Sequence, residues 1–419
     1  MRLRRVFSVS FLAQGAIFII GFVNSIIITR NLGVEGRGLY ALSMNIVLIL
    51  SLILGDGLYR SNTYYISVDR KKFNTLFTNA TIAVALIGVV LVLLPFAVSD
   101  SIVAIIVPGL NPTLILLAIL SVIPLIYTRN IEGLLLGLQR YYAYNSLLVA
   151  PLLLYLMFNV VLLFFKLFTP EQVITNYLVA WLIVTAVIVN WLVITQQIKF
   201  TPNWKVFVDS FITGMKASVS HICLFLLFRV DIFLINYFLG VDQAGIYSVA
   251  VLVSELLQKL ANTSGSIIFP KLAGKQNHAN RKLSINVLMF VMGIGLVFSI
   301  AVLLFGRTAI VWLYKKEFAE AAIPLFFLLP GTVMMACGKI LLFSLWGQNF
   351  PRITVIVPLI SFFMNTILNL FFIQIWGING AAISTSISYC FFGIVLGIYY
   401  FRQKVPTDVN AVMGANGLE

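Results

Sequence analysis

Nine ionisable side chains lie within segments of the sequence that otherwise resemble membrane-spanning helices. They are Asp56, Arg60, Arg129, Glu132, Arg229, Asp231, Glu255, Lys259 and Lys339. A charge at the centre of a lipid-facing helix costs roughly 2.5–3.5 kcal/mol, so nine of them would cost on the order of 25 kcal/mol. That sum exceeds the stability of a typical domain, about 5–15 kcal/mol. We therefore expect most of these side chains to face protein or water and to include the functional residues.

The spacing of these residues bounds the kind of ligand they could bind. Three acid–base pairs are spaced for contact within one helix: Asp56 with Arg60, Arg129 with Glu132, and Glu255 with Lys259. Arg229 and Asp231 point in different directions, so we expect Arg229 to be available to a ligand and Asp231 to pack within its own bundle. Lys339 has no local partner in the sequence. The positive excess favours an anionic substrate; the alternative is that the pairs only neutralise one another and lock the bundles.

Polar residues also form stripes along four predicted helices. The two stronger stripes lie on the second and eighth helices and the two milder ones on the first and seventh, as Asn45, Asp56, Tyr59, Arg60 and Thr63; Glu255, Lys259, Asn262 and Ser266; Ser10, Gln14, Gly21 and Ser25; and Ser218, His221, Arg229 and Asn236. Their symmetric placement predicts a hydrated cavity lined by helices one, two, seven and eight. His221 is either a proton relay or a packing residue.

The composition is that of a polytopic membrane protein. Mean hydropathy is +1.03, 61% of residues are hydrophobic and 10% are charged, whereas a soluble domain has about 25% charged residues. Apolar runs of about 20 residues recur along the chain, which predicts an all-α bundle. The net charge of +14 does not indicate nucleic-acid binding, because the basic residues lie in short loops and not on one folded surface.

Twelve helices are predicted, six in each half of the chain. Their approximate ranges are 7–29, 40–67, 74–98, 113–137, 143–166, 172–197, 216–239, 246–270, 283–305, 322–347, 352–375 and 378–401. One set of alternate loops contains 17 Lys and Arg residues and the other contains 6. The positive-inside rule therefore places both termini in the cytoplasm of a multi-pass plasma (inner) membrane protein.

A repeated motif relates the two halves. The motif L-G-V-E-G-R-G-L-Y at Leu32 to Tyr40 returns as L-G-V-D-Q-A-G-I-Y at Leu239 to Tyr247, and its glycines are expected to end helices at a positive φ. Because each half has an even number of helices, the halves form a parallel repeat about a pseudo-twofold axis along the membrane normal. The predicted divisions are a lobe at 1–197, a cytoplasmic linker with an interfacial helix at 198–215, a lobe at 216–401 and a cytoplasmic tail at 402–419.

Common catalytic motifs are absent from the sequence. It contains no G-x-x-x-x-G-K-[ST], G-x-S-x-G or H-E-x-x-H. Its three cysteines, Cys223, Cys337 and Cys390, lie in apolar segments without paired spacing. We therefore expect a protein that is not an enzyme, with no cofactor and no metal centre.

Four stretches of the chain resemble a known family. T-R-N-L-G-V-E-G-R-G-L-Y from Thr29, R-V-D-I-F-L-I-N-Y-F-L-G from Arg229, F-P-K-L-A from Phe269 and W-G-I-N-G-A-A-I-S from Trp376 resemble the polysaccharide and O-antigen flippases of the multidrug/oligosaccharidyl-lipid/polysaccharide exporter superfamily. The resemblance implies a MATE-like fold and a transporter that moves an undecaprenyl-diphosphate-linked oligosaccharide from the inner to the outer leaflet by alternating access. It also implies a polysaccharide polymerase or export machinery as partner.

The resemblance also suggests which residues would bind the diphosphate. By position these are Arg30, Arg60, Arg229 and Lys259, to which the charge analysis adds Arg129 and Lys339. The candidates for ion coupling are Asp56, Glu255 and Asp231. The chain departs from a strongly cationic cavity, because Arg60 and Lys259 each follow an acidic residue by one helical turn.

Two rival functions remain open. A cation-coupled multidrug exporter has the same fold, but such exporters generally place an acidic residue in the first helix, and Val6 to Thr29 contains no Asp or Glu. A membrane-embedded glycosyltransferase or polymerase is the second rival. The short loops and the two-lobe repetition argue against it.

Overall fold

A computed structural model of the chain describes residues 3–97, 107–272, 278–347 and 351–403, without side-chain detail at 3–8, 95–97, 217, 266–272, 278 and 279. Apart from two short 3-10 turns, the regular elements in these ranges are α-helices. They are α1 (Leu3–Val68), α2 (Phe73–Ala97), α3 (Pro112–Gly137), α4 (Tyr141–Phe165), α5 (Pro170–Gln196), α6 (Trp204–Leu227), α7 (Val230–Leu239), α8 (Val241–Leu272), α9 (His278–Tyr314), α10 (Ala322–Trp346) and α11 (Ile353–Arg402).

The two longest helices are bent at glycines. Gly33 divides the 66 residues of α1, and Gly377 divides the 50 residues of α11. Their φ angles are 69° and 58°, values that side chains with a Cβ rarely adopt. Ten helices of the described chain are long and apolar enough to cross a membrane, and each bent helix contains two of the predicted segments. The predicted all-α membrane fold of about twelve segments is therefore confirmed.

The predicted linker differs from the structure. A separate interfacial helix was expected within 198–215, but α6 begins at Trp204 and continues without interruption to Leu227. Asn203 stops the chain from being helical earlier, because its side chain accepts a hydrogen bond from the Val206 amide as an N-cap does. The aromatic residues Trp204, Phe207 and Phe211 stack along the first turns of α6. The helix predicted at 216–239 thus starts about three turns too late.

The helices form two compact units, each described by itself. Unit 1 comprises Met1–Phe225, Leu239–Ile246 and Leu313–Glu317, and unit 2 comprises Leu226–Phe238, Tyr247–Trp312 and Phe318–Glu419. The predicted linker at 198–215 lies inside unit 1, so the lobe boundaries inferred from the sequence repeat stay a prediction. The predicted tail lies outside the described residues from 404 onward.

One helix in each unit is largely enclosed. Sixteen residues of α3 and eighteen residues of α10 are buried, so these helices are the centres around which the others pack. Asn111 caps α3, and Pro112 occupies its first turn, where a missing amide hydrogen costs nothing. Arg129 lies on α3 and Lys339 on α10, so each central helix brings a basic side chain into its unit.

The motif glycines behave in two different ways. Gly33 and Gly240 have positive φ angles of 69° and 87°, which confirms the predicted turns. Gly38 and Gly245, the last glycine of each copy, lie inside helices, so the prediction of a turn is wrong for them. The reason is packing, because a Cβ on either one would overlap a carbonyl oxygen of the other motif copy.

Candidate functional site

A buried carboxylate collects three basic side chains in unit 1. We call Asp56, Arg60, Arg129 and His221 the Asp56 cluster. Arg60 Nε lies 2.7 Å from Asp56 Oδ2, Arg129 Nη2 lies 3.4 Å from Oδ1, and His221 Nδ1 lies 3.2 Å from Oδ2. Two guanidinium groups and an imidazole therefore share one acidic group.

The exposure of these side chains differs sharply. The Asp56 side chain is 0% exposed, whereas those of Arg60, Arg129 and His221 are 32%, 26% and 34% exposed. The carboxylate is thus enclosed beneath basic groups that still reach accessible space. A charge-assisted hydrogen bond from an arginine to a phosphate is among the strongest non-covalent contacts in proteins. The cluster has the chemistry to bind an anion.

A close crossing of α1 and α3 brings the cluster together. A Cβ on Gly133 would lie 2.6 Å from the Tyr59 carbonyl oxygen, so only glycine allows the two backbones to approach this closely. Buried polar groups hold the crossing, because Asn62 donates to the Asn130 side chain at 3.1 Å. This crossing places Arg129 beside Asp56.

The sequence predicted only part of this cluster. The pair of Asp56 with Arg60 is confirmed. The predicted pair of Arg129 with Glu132 is wrong, because no ion pair joins them within 4 Å in the described structure and Arg129 reaches Asp56 on the neighbouring helix. The ring of His221 contacts the Asp56 carboxylate. Both roles proposed for His221, proton relay and packing residue, stay predictions.

A second basic cluster lies in unit 2. We call Arg229, Glu255, Lys339 and Phe228 the Arg229 cluster. Arg229 Nη1 lies 2.9 Å from Glu255 Oε1, and the two side chains are 21% and 22% exposed. Lys339 is 8% exposed, and its Nζ lies 4.5 Å from the centroid of the Phe228 ring. An ammonium group over an aromatic face is stabilised by the ring quadrupole.

Arg229, which was expected to be available to a ligand, has an acidic partner in the structure. Its guanidinium pairs with Glu255, which the sequence had assigned to Lys259. The assignment missed this pair because Arg229 and Glu255 lie on different helices. Lys259, one turn beyond Glu255 on α8, is exposed.

A break in the chain of helices lies at Arg229. Helix α6 ends at Leu227 and α7 begins at Val230, and the Arg229 amide donates to the Leu226 carbonyl at 3.0 Å. Discontinuous membrane helices in transporters leave backbone groups and helix ends available to ligands. Neither glycine nor proline occurs at the break, so no residue type in the sequence indicates it.

Asp231 lies in a separate polar site of unit 2. Its Oδ2 accepts hydrogen bonds from Tyr247 at 2.7 Å and Thr385 at 3.4 Å. Asn365 donates to the Thr385 hydroxyl, and Asn369 donates to Asn365. Asn369 Oδ1 is buried and has no hydrogen-bond partner among the described residues. The prediction that Asp231 packs within its own bundle is confirmed, and the site gathers oxygen atoms suited to a small hard cation.

The remaining sequence candidates lie outside both clusters. Arg30 is exposed at the end of the first limb of α1. Ser25, assigned to a milder polar stripe, is buried, and Ser266 lies outside the described side chains. The hydrated cavity stays a prediction.

Comparison with solved structures shows a shared fold. A multidrug resistance MATE family transporter of the MOP superfamily, in an inward-facing conformation, aligns with a TM-score of 0.75 at 14% identity over 96% of both chains. The lipid II flippase MurJ, in an inward closed conformation, aligns with a TM-score of 0.75 at 12% identity, over 94% of this chain and 87% of MurJ. A MOP superfamily transporter from Pyrococcus furiosus aligns with a TM-score of 0.66 at 15% identity over 94% of both chains.

Sequence comparison identifies the family. The uncharacterized membrane protein EpsK of Bacillus subtilis (strain 168) is 26% identical over 170 residues, which are 38% of this chain and 32% of EpsK. The match thus spans about a third of that relative's length. A family profile described as polysaccharide biosynthesis protein matches residues 3–276, more than half of the chain. The chain, a multi-pass helical membrane protein with a MATE-like fold, therefore belongs to the polysaccharide biosynthesis protein family.

Proposed function

We propose that this protein is a transporter that flips an undecaprenyl-diphosphate-linked oligosaccharide from the inner to the outer leaflet by alternating access, for the export of a surface polysaccharide. Its family supports a role in polysaccharide biosynthesis, and MurJ, a lipid II flippase, has the same fold. The observation that carries the proposal is the Asp56 cluster, in which two partly exposed arginines share one enclosed carboxylate. Basic groups of this kind inside a membrane protein mark ligand or ion pathways.

The chemical task is to move a charged, hydrated headgroup across a layer that excludes it. Arg60 and Arg129 would bind diphosphate oxygens through charge-assisted hydrogen bonds, which replace the hydration that the headgroup loses. In the Arg229 cluster, Arg229 and Lys339 would do the same, with Lys259 and Arg30 as outlying basic contacts.

The driving force is the second part of the proposal. Asp56 and Glu255 form ion pairs with arginines within 4 Å, so they are less suited to take up a coupling ion than Asp231, whose hydrogen-bond partners in the described structure are neutral side chains and an amide. We assign ion coupling to Asp231. Asp231→Asn should abolish the dependence of flipping on an imposed sodium or proton gradient, whereas Asp209→Asn, a change at an exposed site of α6, should preserve it. Unchanged gradient dependence in Asp231→Asn would reject the assignment.

A cation-coupled multidrug exporter is the second candidate. The MATE transporter matches the chain with the same TM-score as MurJ, so the fold does not discriminate between them. The lack of an acidic residue between Val6 and Thr29 and the surplus of basic groups in the Asp56 cluster favour an anionic substrate. Drug resistance in a pump-deficient host, without glycan export, would support the exporter instead.

Location and partners follow from the same proposal. We propose that both termini lie in the cytoplasm of a plasma (inner) membrane, which the distribution of basic loops supports, and that a polysaccharide polymerase or the export machinery receives the flipped substrate. A membrane-impermeant reagent applied to whole cells should therefore label neither terminus.

The direct test is flipping in reconstituted vesicles. A fluorescent polyprenyl-diphosphate oligosaccharide is placed in the inner leaflet, and its arrival outside is measured by an impermeant quencher. We expect the wild-type protein to flip it and Arg60→Gln/Arg129→Gln to be at least 10-fold slower, with Arg307→Gln, at an exposed arginine of α9, as the matched control. Equal rates for the wild type and the double variant would overturn the proposal.

A further inference from the structure

The two copies of the repeated motif contact each other through glycines. A Cβ on Gly38 would overlap the Val241 carbonyl oxygen, and a Cβ on Gly245 would overlap the Val34 carbonyl oxygen. Gly38 and Gly245 occupy the same place in the motif, and so do Val34 and Val241. The contact is therefore reciprocal, because the glycine of each copy packs against the valine of the other copy. This is the pattern of an interface around a twofold axis.

Both the backbone and the side chain of Val241 pack against glycines at this crossing. The Val241 Cγ1 atom lies 2.7 Å from the position a Cβ on Gly38 would take, and Cγ2 lies 2.7 Å from that of a Cβ on Gly109. Small residues allow membrane helices to approach this closely. We call this contact of Gly38 and Val241 with Gly245 and Val34 the motif crossing.

A second glycine crossing lies further along α1. A Cβ on Gly214 of α6 would overlap the Gly57 carbonyl oxygen. The same two helices are joined beside it by the contact of His221 Nδ1 with Asp56 Oδ2 at 3.2 Å. The separation of Gly38 and Gly57 along α1 corresponds to about 28 Å of helix, close to the roughly 30 Å hydrocarbon thickness of a bilayer. We call this the Gly57 crossing.

We infer that these crossings are the two closures of the transport path, one near the start of the second limb of α1 and one about 28 Å further along it. The motif crossing separates to open the path at the end where that limb begins, and the Gly57 crossing separates to open it at the other end. In this structure both are closed. The inference rests on the proposed flipping function. It also explains why the motif is repeated, because one closure needs both copies of it.

The test measures water access beside the motif crossing. Ala41 lies one turn beyond Gly38 and is buried, so Ala41→Cys, in a chain whose three native cysteines are replaced, reports opening to an impermeant maleimide. Gly38→Ala and Gly245→Ala should each label at least 10-fold faster, because the added methyl group forces the backbones apart. Gly15→Ala, whose Cβ would meet no atom within 4 Å, should label at the unmodified rate. Equal labelling of all three variants would overturn the inference.

A further variant covers a failure of the glycine variants to fold. Val241→Ala removes the side chain that fills the motif crossing without adding an overlap, and it should raise labelling at least 3-fold. An unchanged rate would count against the motif crossing as a closure. Labelling needs no substrate, so faster labelling in a protein that flips nothing would reject only the proposed function. Normal flipping with unchanged labelling would reject only this inference.

Discussion

The two basic clusters hold their charges in different ways. In the Asp56 cluster, one fully enclosed carboxylate is shared by three basic side chains. In the Arg229 cluster, Arg229 and Glu255 pair one to one with nearly equal exposure, and Lys339 is supported by the Phe228 ring. All three basic side chains of the Asp56 cluster are thus stabilised by one buried carboxylate. In the Arg229 cluster, Arg229 and Lys339 are stabilised by separate contacts.

This difference should decide how each cluster responds to mutation. Removing the acid from the Asp56 cluster leaves two arginines without their anion. Removing the acid from the Arg229 cluster leaves one arginine, which is partly accessible to water or ligand. We therefore expect the Asp56 cluster to combine structural and binding roles, and the Arg229 cluster to act mainly in binding.

The largest effect is expected for Asp56→Asn. Removing one partner of a buried ion pair typically costs about 3–5 kcal/mol of unfolding free energy, and here the residue has three partners. Glu255→Gln should cost much less, because both members of its pair are partly exposed. Thermal unfolding in detergent measures both, with Asp209→Asn as the exposed control. Equal losses of unfolding free energy in Asp56→Asn and Glu255→Gln would contradict the proposed difference between the two clusters.

A double-mutant cycle on Arg60 and Arg129 should show coupling. Both arginines contact Asp56, so the effect of losing one depends on the presence of the other. Interaction energies between residues of one network are about 0.5–3 kcal/mol. The free energies of unfolding of Arg60→Gln, Arg129→Gln and the double variant measure this coupling. Additive effects would mean that the two arginines act independently.

A smaller effect is expected for Lys339→Met. Methionine retains the apolar stem but removes the cation, so affinity for a polyprenyl diphosphate should fall about 10-fold, equivalent to about 1.4 kcal/mol. Stability should be unchanged or higher, because a buried charge is replaced by an apolar group. Lys339→Arg tests whether charge alone restores affinity. A loss of stability without a loss of affinity would make Lys339 a structural residue.

The smallest effect is expected for Arg30→Gln. The side chain is exposed and lies in neither cluster, so the flipping rate in vesicles should change by less than about twofold, as expected for weak surface contacts. A 10-fold loss would show that the binding path extends beyond the two clusters.

The sequence predicted the features that depend on neighbours in the chain. The helices follow from the length of apolar runs, and the pair of Asp56 with Arg60 follows from a spacing of four residues. The turns at Gly33 and Gly240 follow from the need for a residue that tolerates positive φ.

Features that depend on distant parts of the chain could not be predicted in this way. Arg129 and His221 reach Asp56 from 73 and 165 residues away, and only helix packing decides such contacts. No glycine or proline at Arg229 indicates the helix break in the sequence. The packing role of Gly38 and Gly245 depends on the carbonyl oxygen that lies opposite each of them, which belongs to a distant part of the chain.

The central claim is that the basic groups of the Asp56 cluster bind a lipid-linked diphosphate. The most direct measurement is the shift in thermal unfolding temperature on adding a polyprenyl diphosphate, compared with the corresponding polyprenyl alcohol. A ligand at 100 times its dissociation constant stabilises the folded state by about 2.7 kcal/mol. We predict a clear stabilisation of the wild type by the diphosphate alone, and none for Arg60→Gln/Arg129→Gln. Equal stabilisation of the wild type and this double variant would contradict the account.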